Sequence, residues 1–387
     1  MSENHLNQRN LKIDILKGIG IIMMVFRHAR GPYSDFVVLF HMAIFFIASG
    51  YLINSYALSN GKDLGQYIKR KLLGLWRPYF AFSCLFIICH NLFLCLHIYT
   101  DDPQFLNYAF LENTQLSKAM ELNEVIVEIV KAVFFQANTQ LGGAFWFFYE
   151  LFVVLVLYNV IGFFLNKLVK TEKRVLILQG IVSILLLLVG YYCFLNNIAL
   201  RGISGCLSAY CLVYIGFLIK RKKIMDKCCD AGWKIVCGVM VSFLILMMGY
   251  HKGDINIGIN KIENPVFFLV MSLAGWNLIY FISYMLEKNN FIGNKCIVYL
   301  SRHSVWIIAL HFLSFKLINL IQVKVYGYEP CCIAAFPVLH NSGAWWVLYT
   351  LVGLLLPLIL ETVCSKLYCS VKMQISEKAE KKKKSRL

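Results

Sequence analysis

Asp14, Lys17 and His28 stand in the stretch "DILKGIGIIMMVFRHARGPYSDFVVLFHMAIFF", residues 14–46, which is otherwise apolar enough to enter a bilayer. At about 100° per residue, the steps from Lys17 to His28 make about three turns plus 20°, so both side chains share one helix face about 16 Å apart along the axis. An imidazole with an unperturbed pKa of about 6.5 is suited to taking a proton from a hydroxyl near neutral pH. Asp14, one turn before Lys17, is spaced to form an ion pair with it. It lies about 21 Å from His28 along the axis, too far to be the carboxylate of a conventional triad. The link "ARGPYSD" carries Gly-Pro turn chemistry and is short, so the next helix is expected to return antiparallel, with His41 near His28 in depth.

The elements that position these groups follow from composition. The chain has 387 residues, 59% of them hydrophobic and 15% charged, with mean hydropathy +0.64. That is too apolar for a soluble globular protein. A bilayer core of roughly 30 Å needs about 20 helical residues to cross it, and ten apolar runs meet that need, near 13–30, 36–56, 79–98, 146–166, 175–195, 203–219, 233–250, 265–286, 303–322 and 344–368. Strand periodicity is absent. The expected fold class is therefore all-α, a polytopic transmembrane helical bundle of about ten helices. Residues 1–370 read as one membrane domain and 371–387 as a basic tail.

Of the 38 lysines and arginines, 28 fall on the side of the N-terminus and seven on the other, with Lys17, Arg27 and Lys316 inside spans. By the positive-inside rule both termini are expected in the cytoplasm. The +17 net charge is then a topology signal facing anionic membrane lipid, and no nucleic-acid partner is implied. The fourteen cysteines show neither zinc spacing nor a disulfide framework, and no metal is expected. The outer segment "LNEVIVEIVKAVFF" is patterned as an amphipathic helix lying on the bundle or dipping into it.

A charge inside a span costs roughly 2.5–3.5 kcal/mol at the centre of an inserted helix, so such residues face a cavity or a partner. Glu150, in "AFWFFYELFVV", and His311, in "IIALHFLSFKL", are therefore supporting candidates. A structural reading stands beside each: Glu150 as the partner of a buried base, His311 as a hydrogen-bonded core residue, Asp14 and Lys17 as interfacial side chains. Arg27 and Arg30 have the further option of anchoring to outer headgroups. Gly50, in "SGY", is expected to serve close helix packing.

Five blocks in order resemble the integral-membrane acyltransferase family three, whose members O-acetylate cell-surface polysaccharides, lipopolysaccharide and peptidoglycan. The first is "IDILKGIGIIMMVFRH", with Asp14, Lys17 and His28 in the family's frame; lysine replaces the commoner arginine, as in the branch resembling fucose 4-O-acetylases. The others are "FHMAIFFIASGYLIN", where Ala43 stands for the usual proline, "RKLLGLWRPYF", "GAFWFFYELFVV" with Trp146, and "NKCIVYLSRHSVWIIALHF" ending near His311. The resemblance covers about 9–322; Glu150 is not part of the family pattern.

The resemblance implies an O-acetyltransferase of the bacterial inner membrane that takes acetyl-CoA as donor and a glycan as acceptor. His28, His41 and Asp14 are then the catalytic candidates, with Asp14 acting through Lys17. Lys17, Arg77 and Lys71 are the candidates for the CoA phosphates, and Trp146, Glu150 and His311 support the site. The competing reading is a transporter or translocase of a glycan or lipid-linked sugar, which explains ten helices and buried charges equally well but favours inverted repeats.

Overall fold

The computed structural model describes residues 10–54, 60–107, 115–169, 171–198 and 202–384. Its helices are α1 Leu11–His28, α2 Ser34–Val38, α3 His41–Tyr51, α4 Gly61–Lys71, α5 Arg77–Ile88, α6 His90–Cys95, α7 Leu122–Val133 and α8 Trp146–Val169. They continue as α9 Glu172–Leu195, α10 Ile203–Arg221, α11 Ile224–Cys228, α12 Gly232–Gly249, α13 Pro265–Lys288, α14 Asn294–Arg302, α15 Ser304–Tyr326 and α16 Trp345–Lys384. One short antiparallel hairpin, β1 Ile255–Asn256 with β2 Lys261–Ile262, interrupts them.

Among the described residues nine helical segments are long and apolar enough to cross a membrane. The tenth expected crossing is α1 itself, whose apolar run is diluted by Lys12, Asp14, Lys17 and Arg27. Those charges are tolerable because α1 is not at the periphery: it packs among α3, α13, α14 and α16. By contrast α9 and α12 turn Ile181, Leu185, Leu188, Met240 and Leu244 outward. Lipid accepts such a face without cost, since acyl tails are as apolar as leucine.

The tightest contact joins α3 to α10. A Cβ on Gly50 would stand 2.0 Å from the carbonyl oxygen of Val213, and one on Gly216 would stand 2.0 Å from that of Ile47. The backbones touch where both side chains are absent, which is the close-packing role expected of Gly50. Gly50→Leu is expected to force these helices apart at a cost of about 1–3 kcal/mol or more. Gly61→Ala, with nothing within 4 Å of the added carbon, should leave the unfolding temperature in detergent unchanged. Equal melting of the two variants would show that the contact is dispensable.

One connection differs from expectation, and another takes one of the two placements expected of it. The third crossing starts earlier than residue 79: α4 runs into a π-helical turn, Leu72–Trp76, and on into α5 without a break. Second, α7 lies antiparallel along α5. Asn91 exchanges two 2.8 Å hydrogen bonds with the backbone of Met120 before α7 begins. At the far end the Trp76 indole donates to Val133 O at 2.9 Å, and the backbone N–H of Ala137 donates to the Tyr79 hydroxyl at 3.1 Å. The amphipathic segment therefore dips along the bundle, with Leu122, Ile126 and Val130 exposed.

Candidate functional site at the ends of helix α1

Helix α1 starts cleanly because the Asn10 side chain accepts from the backbone N–H of Ile13 at 3.3 Å, satisfying one of the unpaired donors of the first turn. Asp14 lies in that first turn, where a carboxylate complements the helix dipole. Among the described residues α1 forms ion pairs through Lys12 with Glu287 and through Arg27 with Asp35; the expected pair of Asp14 with Lys17 is not one of these. Lys17 instead lines a groove between α3, the α4–α5 segment and α8, with Ser49, Leu52, Arg70, Lys71 and Leu155. An adjoining groove shares Ser49, Leu52, Arg70 and Lys71 and adds Tyr67 and Asn159. Three cations thus converge on the inner end of α1.

Arg77 is not one of them. It is exposed at the start of α5, and the cation that joins Lys17 and Lys71 is Arg70. Even in an unbroken α-helix the six residues from Lys71 to Arg77 turn through about 600°, which leaves the two side chains about 120° apart.

At the other end of α1 the chain turns through Arg30 and Tyr33, both in the left-handed region with φ of 52° and 57°. It re-enters the bundle at α3, so that His28 and His41 line one cavity of about 450 Å³. Arg27, Arg30, Met42, Gly143, Trp146 and Phe336 line the same space, together with Asp254–Ile257. The third histidine arrives on α15: the ring centroid of His311 is 5.2 Å from that of His28, whose ring also meets Phe312 edge-on at 4.8 Å.

Backbone carbonyls fix two of the three tautomers. His41 Nδ1 is 3.0 Å from Val37 O, and His311 Nδ1 is 3.0 Å from Ile307 O and 3.1 Å from Ile308 O. A carbonyl only accepts, so each Nδ1 carries the hydrogen and each Nε2 presents a lone pair. In His311 that nitrogen is buried without a hydrogen-bond partner among the described residues. It sits behind His28, outside the cavity lining. Glu150 is likewise buried, and neither carboxyl oxygen has a partner among those residues. Among the described residues it pairs with no buried base, and it lies one turn below Trp146 against Gly205.

Two parts of the outer cavity come from segments that sequence pattern did not assign. One is the β1–β2 hairpin, anchored by Asn260: its Nδ2 donates to Gly190 O at 2.8 Å, and Ser208 Oγ donates to its Oδ1 at 3.0 Å. The other is the loop carrying Phe336 and Pro337. Lys316, a charge inside a span, is held here as a clasp, its ammonium donating at 2.8 Å to both Ala334 O and Ala335 O. Asn319 Nδ2 reaches Ile333 O and Ala335 O at 2.9 Å, and the Tyr349 hydroxyl joins Asn319, Gln322 and the backbone N–H of Leu339. Tyr349→Phe leaves these buried groups short of a partner, at about 1–3 kcal/mol. Faster proteolysis of the 328–340 loop is the expected readout; an unchanged cleavage rate and melting temperature would show that the hydroxyl is not what holds the loop.

A second, smaller cavity lies directly beneath His28, bounded by Ile21, Met24, Met42, Phe45, Ala144, Trp146, Phe147 and Ile308. His28, Met42 and Trp146 belong to both cavities. Lys17, Ile21, Met24 and His28, at helical spacing, thus line in turn the inner groove, the small cavity and the outer cavity. Helix α3 does the same with Leu52, Ser49, Phe45 and Met42, and α8 with Leu155, Leu151, Phe147 and Trp146.

A protein-family model described as an acyltransferase domain matches residues 10–362, nearly the whole described chain. No curated protein and no solved structure matches it.

Proposed function

The chain belongs to acyltransferase family three, and from that premise we propose that it moves an acetyl group from cytoplasmic acetyl-CoA to a hydroxyl of a cell-surface or lipid-linked polysaccharide sugar. Lys17, in the place of the commoner arginine, supports a position near the fucose 4-O-acetylase-like branch, and the excess of basic residues on the side of the termini supports a bacterial inner-membrane protein with both ends in the cytoplasm. The observation that carries the assignment is the position of His28, the one histidine shared by the outer polar cavity and the apolar cavity beneath it.

In this reading Lys17, Arg70 and Lys71 hold the donor's phosphates at the inner end, and the thioester lies along the α1 stripe toward His28. The acceptor sugar occupies the outer cavity, with Trp146 as a flat apolar face and Arg27, Asp254 and Asn256 as polar contacts. His28 takes the proton of the sugar hydroxyl as its oxygen attacks the thioester carbonyl carbon. The carbon–sulfur bond then breaks, an oxygen ester remains on the sugar, and the departing thiolate takes the proton back from the imidazolium. His41, with its bare Nε2 in the same cavity, accepts a hydrogen bond from a neighbouring sugar hydroxyl; His311 positions the His28 ring from behind. Asp14 remains at the far end of α1 and acts on the site only through that end.

The translocase reading is not favoured, because the family match is to an acyltransferase. Purified protein given acetyl-CoA labelled in the acetyl group and a host glycan extract should transfer label to alkali-labile esters on the glycan. Passage of unmodified glycan into sealed vesicles without any ester formation would replace this reading with transport.

A further inference from the structure

The cavity beneath His28 differs from its neighbour in size and in lining: it is about 10 Å³ against about 450 Å³ for the outer cavity. Apart from His28 and the edge of the Trp146 indole, every side chain around it is apolar, and Met24 and Ile308 are 4% and 5% exposed. A volume of about one water-sized sphere is not filled favourably by water when its lining offers so few polar partners. It suits one methyl group. The floor is closed by two rings in contact, Phe45 and Phe147, with centroids 5.6 Å apart. Phe45 in turn is held against α1, because Gly20 leaves no room between them: a Cβ there would stand 2.7 Å from the ring.

We infer that this cavity is the seat of the acyl methyl group, and that Met24, Phe45 and Ile308 limit the transferred acyl group to two carbons. The inference rests on the acyl-transfer reading above and adds the subsite that sets acyl length. In transfer the carbonyl carbon sits beside His28, where it exchanges its bond to sulfur for one to the sugar oxygen. The substituent that does not change is the alkyl end, and it needs an apolar space off the reaction line. The cavity supplies one of the right size. A longer chain either overpacks the Phe45–Phe147 floor or turns into the outer cavity, where it displaces the acceptor.

The test compares acetyl-CoA with propionyl-CoA and butyryl-CoA, using purified protein in nanodiscs and following both CoA thiol release and ester formation on the glycan. Wild-type protein is expected to prefer acetyl over propionyl by about 10–200-fold in kcat/KM, the usual worth of one methylene in an apolar pocket. Met24→Ala and Ile308→Ala should each reduce that preference by about tenfold or more. Ile308→Val, which removes a single methyl and preserves the fold, should give an intermediate ratio. An equal preference in wild type and all three variants, or a wild type indifferent to acyl length, overturns the subsite. Absence of thiol release from every acyl-CoA would instead overturn the acyl-transfer reading on which it rests.

Discussion

Replacing His28 by alanine is expected to lower acyl transfer by about 10²–10⁴-fold, the usual worth of a positioned general base, without changing the amount of protein in the membrane. The separation of the two effects follows from geometry. The imidazole contributes to a cavity junction and an edge contact with Phe312; it is not at the glycine contact of α3 with α10 or in the Lys316–Asn319–Tyr349 clasp that hold the bundle together. Transfer by His28→Ala within tenfold of wild type, measured per mole of folded protein, would remove His28 from the chemistry and leave His41 as the candidate base.

The second large effect belongs to the inner end. Lys17→Met and Lys71→Met each remove a cation from a groove that also holds Arg70. If the groove binds the donor's phosphates, each loss costs about 1.5–3 kcal/mol of charge-assisted hydrogen bonding, which is roughly tenfold or more in KM for acetyl-CoA. The turnover number at saturating donor should change far less, because the chemistry is about 16 Å away along α1. Arg77→Met is the informative contrast. Arg77 is exposed and does not line the groove, so its KM should match wild type; a KM defect as large as that of Lys71→Met would show that the groove is not the donor site.

Much of this arrangement is legible in the sequence because it is local. The shared face of Lys17 and His28 follows from helical arithmetic within α1, and the return of His41 follows from turn residues a few positions later. Gly50 is readable as a packing glycine because small residues at helix interfaces are what a bilayer selects. Other features depend on distant partners and have no local signature. Nothing near residue 260 announces that Asn260 will bridge Gly190 and Ser208 and bring Asp254 and Asn256 to the outer cavity. The role of Lys316 depends on carbonyls of Ala334 and Ala335 that only the folded loop presents. Arg77 is of a third kind: the segment "RKLLGLWRPYF" offers Arg70, Lys71 and Arg77, and which of them meets Lys17 depends on how that segment packs against α8. Glu150 stands out by sequence and by burial alike, and the structure gives it no partner among the described residues.

The division of α1 into a donor end at Lys17 and an acceptor end at His28 is tested most directly by sidedness. Protein is reconstituted in sealed vesicles of known orientation, with labelled acetyl-CoA confined to the face bearing Lys71 and an impermeant glycan acceptor confined to the opposite face. Ester should form on the glycan across the intact membrane, one thiol released on the donor side for each ester formed. Ester formation only when donor and acceptor share a face would contradict it.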